Sequence, residues 1–308
     1  MITPGTSTDL VRRLLRAQFP QWAGLAVEAV GVVGTANAVY RVGGGLSVRL
    51  PLGEGAAGDV GKERRWLPRL AAAVPLEVPR PVGVGEPGEG FPWPWAVHTW
   101  LDGVPPVPGE LADPAGVARD LAAFVGALRR VDTAGAPAAH RSEPLAARDA
   151  ETREAAAELR DHLAPAVADA VWSAALAADT ADTAPVWLHS DLQPGNLLLT
   201  GDRLTGVIDF GCLGAGDPAV DLIPAWYVLP AAARPVFRDA VGADDEAWAR
   251  GRGWALSIAL MELRAYRTAN PRMAAIAEHV LREIGADAGR GPAVGSGEVP
   301  GGPPSAGG

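Results

Sequence analysis

The stretch 186–222, VWLHSDLQPGNLLLTGDRLTGVIDFGCLGAGDPAVDL, constrains this chain more than any other. Two apolar runs, 196–200 and 204–210, flank Gly201-Asp202. That pattern predicts a β-hairpin, because glycine at the first turn position accepts the dihedrals of a tight reversal. Polar chemistry stands at both ends. His189, Ser190, Asp191 and Asn196 precede or open the first run, and Asp209-Phe210-Gly211 closes the second. The turn therefore brings Asp191, Asn196 and Asp209 close in space although they are distant in sequence. Asp and Asn beside strands are commonly plain turn formers. Three in register around one hairpin, with His189 and Gly211 beside them, point instead to a shared site.

The spacing from Asp191 to Asn196, followed by a strand ending Asp209-Phe210-Gly211, is that of a kinase catalytic loop and metal-binding segment. With His189-Ser190-Asp191, Pro194-Gly195-Asn196, Ile208-Asp209-Phe210-Gly211, Gly216-Asp217-Pro218 and Asp221-Leu222 in this order, the segment closely resembles the aminoglycoside phosphotransferase family. That family holds kinases of antibiotics and other small molecules on a protein-kinase-like fold. The resemblance implies Asp191 as the base facing a substrate hydroxyl, Asn196 and Asp209 as magnesium ligands, and ATP or GTP as the donor. The residue types suit these roles. Magnesium takes hard oxygen ligands, and a carboxylate can orient a hydroxyl for in-line attack on a γ-phosphate.

Composition narrows the setting. The 308 residues are enough for two modest domains or one large one, and 48% of them are apolar. No apolar run reaches the roughly 18–20 residues of a membrane span, and the first residues lack the order of a signal peptide. A cytoplasmic location and no membrane partner are expected. One cysteine, Cys212, excludes an internal disulfide. The net charge of −9 disfavours a nucleic-acid partner. A small-molecule substrate and a monomer or weak dimer are expected. Lys62 is the only lysine in the chain; every other permanent side-chain cation is arginine.

Upstream, Leu10, Val11, Leu14 and Leu15 recur at helical spacing over 8–18, with Ser7 or Thr8 as the cap. Strand-like pieces follow at 25–33, 38–42 and 46–50, the last two joined by Gly43-Gly44-Gly45. The segment 31–42, GVVGTANAVYRV, stands where a kinase covers the phosphates. Its small residues, with Thr35 and Asn37 the expected contacts, would let backbone N–H groups approach phosphate oxygens. At the third strand kinases carry a lysine paired with a glutamate on the next helix. Here Arg49 takes that place, and Glu63, in a helix expected over 60–72, is its partner. Arginine keeps the charge but is longer and forked. Lys62 neighbours Glu63 on the helix and points about 100° away from it. A strand at 96–101 leads to Asp102-Gly103 as the hinge, with His98 and Trp100 the side chains expected near the adenine ring.

Beyond 111 helices dominate. Asp113-Pro114 is a cap followed by a first-turn proline. Further helices are expected at 146–163, 166–178, 219–228, 231–240, 245–266 and 271–284. The first is densely charged, either a solvated face or a lid over the substrate. The Gly/Pro-rich segment 286–308 is expected to be a disordered tail. The β-rich-then-α-rich order predicts an α+β, two-lobed protein-kinase-like fold. Residues 1–103 would form a small β-rich nucleotide-binding lobe and 104–285 a larger helical lobe.

The segment after Asp209-Phe210-Gly211 is too short for an activation loop, and Ser190 stands where regulated protein kinases place arginine. Both speak against a protein kinase. Three readings stay open: O-phosphorylation of an aminoglycoside or macrolide antibiotic, of a metabolic alcohol or sugar, or nucleotide binding without catalysis. Asp221, Trp226 and Glu262 are the candidate substrate contacts, as acid and aromatic lining material.

Overall fold

The computed structural model describes residues 5–30, 36–178, 180 and 183–288. Its first helix, α1 (Thr8–Gln18), starts where the cap residue predicts. The Ser7 hydroxyl oxygen accepts the Leu10 N–H at 3.1 Å, satisfying a helix-end donor. The apolar stripe Leu10, Val11, Leu14 and Leu15 is buried in one cluster with the sheet residues Val42, Val48, Leu50 and Val97.

The sheet comprises β1 (Val27–Ala29), β2 (Asn37–Val42), β3 (Leu46–Pro51), β4 (Pro81–Gly85) and β5 (Trp95–Thr99). Its order is β1-β2-β3-β5-β4, with every neighbouring pair antiparallel. The register of β3 on β5 pairs Ser47 with His98. Side chains alternate along a strand, so Arg49, Ser47 and His98 share one face. That face looks toward α2 (Glu54–Ala71).

Helix α2 begins at Glu54, well before the expected 60, and runs through Pro68. Gly55, Gly58 and Gly61 depress local helix propensity, yet burial of Ala57, Val60, Trp66, Leu67 and Leu70 on one face outweighs it. The Trp66 ring lies 5.1 Å from that of Trp187, which joins α2 to the larger core.

That core is mostly helical: α3 (Pro114–Arg129), α4 (Asp149–Glu158), α5 (Pro165–Ala177), α6 (Pro224–Tyr227), α7 (Arg234–Val241), α8 (Asp245–Tyr266) and α9 (Pro271–Ala288). Asp113 caps α3 by accepting the Gly116 N–H at 2.8 Å, and Asp244 caps α8 through Ala247 at 2.7 Å. The α8 bounds match the expectation and those of α5 lie within one residue of it; the other four expected helices differ. The segment 146–163 is a short 3₁₀ turn followed by α4, which stops at Glu158. Its acidic residues Glu151 and Glu158 pair with Arg264 at 2.9 Å and Arg267 at 3.0 Å, so part of its charge faces α8. The segments 219–228 and 231–240 each split into a 3₁₀ turn and a helix, the second piece opening at Pro224 and at Arg234-Pro235. Proline fits a helix start but breaks an interior. Helix α9 continues past Gly285 to Ala288; the remainder of the expected tail, 289–308, lies outside the described residues.

Two small ladders interrupt the helices. β7 (Leu197–Thr200) and β8 (Arg203–Val207) form the predicted hairpin, with Thr200 opposite Arg203 and Gly201 at φ 60° in the reversal. β6 (Val186–Leu188) pairs with β9 (Gly214–Gly216). The segment 137–142 docks on β9, with Ala215 donating to the Pro137 carbonyl at 2.7 Å and Ala139 donating to the Ala215 carbonyl at 3.0 Å. The α+β class expected from the sequence is what folds. Among the described residues, no helix is long and apolar enough to cross a membrane.

Gly214 is where 137–142 and β9 touch backbone to backbone. A Cβ there would stand 2.4 Å from Ala139 N and 2.5 Å from Ala138 C, closer than backbone atoms allow. Gly214→Ala is expected to destabilise the fold by about 1–3 kcal/mol, the range of overpacking. Urea denaturation would show it as a lowered midpoint; an unchanged midpoint would mean that this contact is not held in solution.

Candidate active site

The hairpin places the motif residues at its open end. Asn196 precedes β7, and its carbonyl accepts the Ile208 N–H at 2.9 Å, which fixes the residue before Asp209. The Asn196 amide nitrogen donates to the Asp191 carbonyl oxygen and to Asp191 Oδ2, both at 2.8 Å. His189 links the two halves. Its Nε2 donates to the Ile208 carbonyl at 3.0 Å and its Nδ1 accepts the Asp191 N–H at 3.2 Å, an assignment of tautomer from the partners.

Two residues of the site carry backbone strain. Ser190 lies at φ 68° and Asp209 at φ 64°, the left-handed region that side chains with a Cβ rarely adopt. The Ser190 conformation is held by Asp221, which is 1% exposed. Its two carboxylate oxygens accept the N–H groups of His189 and Ser190, each at 2.8 Å. Burial raises the Asp221 pKa, with His189 and the two amide bonds working against it.

On the sheet side, Arg49 binds two carboxylates. Its Nη1 donates to Glu63 Oε1 at 3.0 Å, and its Nη2 donates to Asp209 Oδ1. Glu63 Oε2 lies 3.3 Å from His98 Nε2. Burial would lower the Arg49 pKa and raise that of Glu63. The ion pairs outweigh it in both: Asp209 and Glu63 raise Arg49, and Arg49 with His98 pulls Glu63 down to about 2. Lys62 instead pairs with Asp59 one turn away on α2, at 2.8 Å.

A third group of residues backs Asp191. Arg141 Nη1 donates to Asp191 Oδ1 at 3.1 Å and to the Ser190 carbonyl. Gln193 Nε2 donates to the same Oδ1 at 3.2 Å and to Glu262 Oε1 at 2.5 Å. Glu262 Oε2 accepts the Tyr227 hydroxyl at 2.8 Å. Burial pushes the Glu262 carboxyl up to about 7, helped by the charge of Asp191. Cys212 stands nearby with its thiol pushed up to about 12 by burial, so it is an inert thiol at neutral pH.

These positions correct several expectations. His98 is 1% exposed and turned to Glu63, because the β3–β5 register puts it on the α2 face; it is not free to meet a base ring. Trp100 stays half-buried at the end of the strand, with its Nε1 donating to Asp102 at 2.9 Å and the Arg41 guanidinium 4.8 Å above its ring, contacts that leave its place near a base ring open. Asp221 clamps the catalytic-loop backbone and does not face a substrate pocket. Trp226 is fully buried, its Nε1 donating to Asp287 at 2.9 Å. Glu262 is 9% exposed and bonded on both oxygens, so it supports Gln193 rather than lining an open pocket. Asn37 opens β2 opposite Pro51, while Thr35 lies outside the described residues.

Gln193 was visible within the motif as a polar residue between Asp191 and Asn196. Arg141 was not. It sits in a loop without periodicity in an arginine-rich chain, and nothing local marks it.

The donor set fits a divalent cation. Asp209 keeps 36% of its side chain exposed and a second carboxylate oxygen beside the one that holds Arg49. Asn196 spends its side-chain nitrogen on Asp191, and no donor among the described residues reaches its side-chain oxygen, Oδ1. No cluster of three His, Cys, Asp or Glu side chains among the described residues could hold a metal unaided. One carboxylate and one amide oxygen match magnesium, which is held by few protein ligands together with phosphate oxygens and water.

Comparison with known proteins accords with this geometry. Among solved structures, the chain is similar to the GDP complex of wild-type aminoglycoside 2'-phosphotransferase-IIIa, at 21% identity and a TM-score of 0.72, covering 92% of this chain and 100% of that one. It is also similar to the GDP and kanamycin complex of APH(2")-IIia, at 22% identity and a TM-score of 0.69, covering 90% and 98%. A third likeness is to macrolide 2'-phosphotransferase MphH from Brachybacterium faecium, at 22% identity and a TM-score of 0.57, covering 89% and 97%. No curated protein matches. These likenesses establish the two-lobed kinase-like fold. The model of the phosphotransferase enzyme family matches residues 30–254, a span that holds Arg49, Glu63, Asp191, Asn196 and Asp209. The chain belongs to the phosphotransferase enzyme family.

Proposed function

We propose that the chain transfers the γ-phosphoryl group of ATP or GTP to a hydroxyl of a small molecule, an antibiotic of the aminoglycoside or macrolide kind. The observation that carries this reading is the pairing of an Asp191 carboxylate held by Asn196 with an Arg49–Asp209 pair on the sheet side. Solved relatives named for GDP with kanamycin and for a macrolide support the donor and acceptor classes. Phosphorylation of a metabolic alcohol or sugar would use the same residues. The intact Asp191, Asn196 and Asp209 speak against a protein that only binds nucleotide.

The roles follow from the chemistry of the side chains. Asp191 orients the acceptor hydroxyl and takes its proton as the oxygen bonds to phosphorus; the bridging oxygen departs with the nucleoside diphosphate. Arg49 contributes a charge that persists at any working pH, fixed in place by Glu63. Magnesium, when bound through Asp209 and Asn196, neutralises phosphate charge. Asp221 and Arg141 do not touch the reacting atoms; they hold the backbone and carboxylate of the base.

Three outcomes are expected. Asp191→Ala should retain nucleotide affinity by titration calorimetry while turnover drops by roughly 10²–10⁴-fold, the usual contribution of a positioned base. Full turnover in that variant would remove Asp191 from the mechanism. Asp209→Asn should raise the magnesium concentration needed for half-maximal nucleotide binding, and an identical magnesium titration would refute its role as a ligand. Arg49→Ala should weaken nucleotide affinity or turnover by more than about tenfold, because it leaves Glu63 buried without its cation. Lys62→Ala should do little, since its one ion pair among the described residues is the local, partly exposed one to Asp59 on the same helix. Steady-state kinetics with nucleotide varied would separate the two, and the reverse pattern would overturn the assignment.

A further inference from the structure

Among the described residues, the Asp191 carboxylate receives three hydrogen bonds that divide unevenly between its oxygens. Oδ1 accepts Arg141 Nη1 at 3.1 Å and Gln193 Nε2 at 3.2 Å. Oδ2 accepts Asn196 Nδ2 at 2.8 Å. An ionised carboxylate offers about two acceptor sites on each oxygen. Oδ1 is therefore filled, and Oδ2 keeps one.

We infer that Arg141 is a positioning residue for Asp191: with Gln193 it saturates Oδ1 and so leaves Oδ2 as the oxygen that receives the acceptor's hydroxyl proton. This rests on the phosphotransferase reading above and adds to it the oxygen that acts and the side chain that selects it.

The surroundings of Arg141 suit a fixed role. Its side chain is 15% exposed. Its backbone N–H donates to the Ser190 hydroxyl at 3.3 Å, and its guanidinium also donates to the Ser190 carbonyl. The loop that carries it is stitched to the segment after Asp209: His140 donates to the Cys212 carbonyl at 3.1 Å and Ala139 to the Ala215 carbonyl at 3.0 Å. A displacement of that segment would thus be felt at Asp191 through Arg141. Gln193 cannot turn away either, because Glu262, itself bonded to Tyr227, takes its other N–H. Ser190 stands where a regulated kinase carries its arginine. The guanidinium on Asp191 has a different partner from that arginine, which meets a phosphorylated loop, and it arrives from a loop held to β9 by the backbone bonds named above.

The test uses the full chain and water as the phosphoryl acceptor, so that it needs no knowledge of the natural substrate. Release of inorganic phosphate from ATP and from GTP is measured with magnesium. Arg141→Ala is expected to lower kcat by roughly 10- to 100-fold, the cost of misplacing a reacting group by about an ångström. The KM for nucleotide should stay within about twofold. Guanidinium at millimolar concentration should restore part of the lost kcat, which it would not do for a general loss of fold. Arg141→Lys should fall between the two. Should Arg141→Ala not fold, Arg141→Lys and Gln193→Leu carry the test, each expected to lower kcat with KM held. An unchanged kcat in the variants overturns the inference, as does a fall in kcat that follows a lowered melting temperature and a raised KM. A wild-type chain that binds nucleotide but transfers phosphate neither to water nor to any member of a panel of aminoglycosides, macrolides and simple sugars overturns the phosphotransferase reading, and this inference with it; where only a panel member is phosphorylated, the same variants are measured with that acceptor.

Discussion

A buried carboxylate sets the geometry on which the candidate site depends. Asp221 accepts the N–H groups of His189 and Ser190 at 2.8 Å each, and with them it holds Ser190 in a left-handed backbone conformation. A residue with a Cβ costs of order 1–3 kcal/mol there and persists only when its surroundings over-determine it. Burying the carboxylate is itself unfavourable, as its raised pKa records. The two costs are offset together, because the amides of His189 and of the strained Ser190 find a carboxylate acceptor and the carboxylate finds two donors. Removing Asp221 would leave two buried N–H groups without a partner. Asp191 is the next residue in the chain, so its direction follows from this arrangement.

Arg49 makes the comparable connection on the other side. It lies on β3, pairs with Glu63 of α2, and reaches Asp209 beyond the hairpin. One guanidinium thus ties three segments together. A lysine has a single ammonium on a flexible stem; the fork lets arginine hold both carboxylates at once. His98 completes the set by approaching the second oxygen of Glu63, and it is available because the β3–β5 register places it on the α2 face. The sheet therefore contributes more than a platform. Its register decides which side chains can reach the cation.

The parts of this protein that were legible in its sequence are those governed by local rules. The bounds of α1 and α8 followed from caps and apolar spacing, and the β7–β8 hairpin from a glycine turn between apolar runs. The start of α2 was misplaced because three glycines weaken a helix that tertiary burial then secures. The segments around Pro224 and Pro235 were located but not divided, since a run of small apolar residues does not show where a 3₁₀ turn gives way to an α-helix. Trp226 and Glu262 were read as lining material and are buried, and Asp221, which the sequence left open between lobe packing and a substrate pocket, is buried under the catalytic-loop backbone. Residue type tells what a side chain can do and not whether it faces a cleft.

By itself the sequence determined the family, the α+β order of elements and the residues whose spacing a single hairpin enforces: Asp191, Asn196 and Asp209. It also determined that arginine must stand where a lysine is usual, because Lys62 is the only lysine in the chain. Only the tertiary structure decided what surrounds those residues. Arg141 reaches Asp191 across 50 positions of sequence, Glu262 reaches Gln193 across 69, and Arg49 reaches Asp209 across 160. No periodicity or turn signal links such pairs. They meet because the elements that carry them pack against one another, and packing is a property of the whole chain.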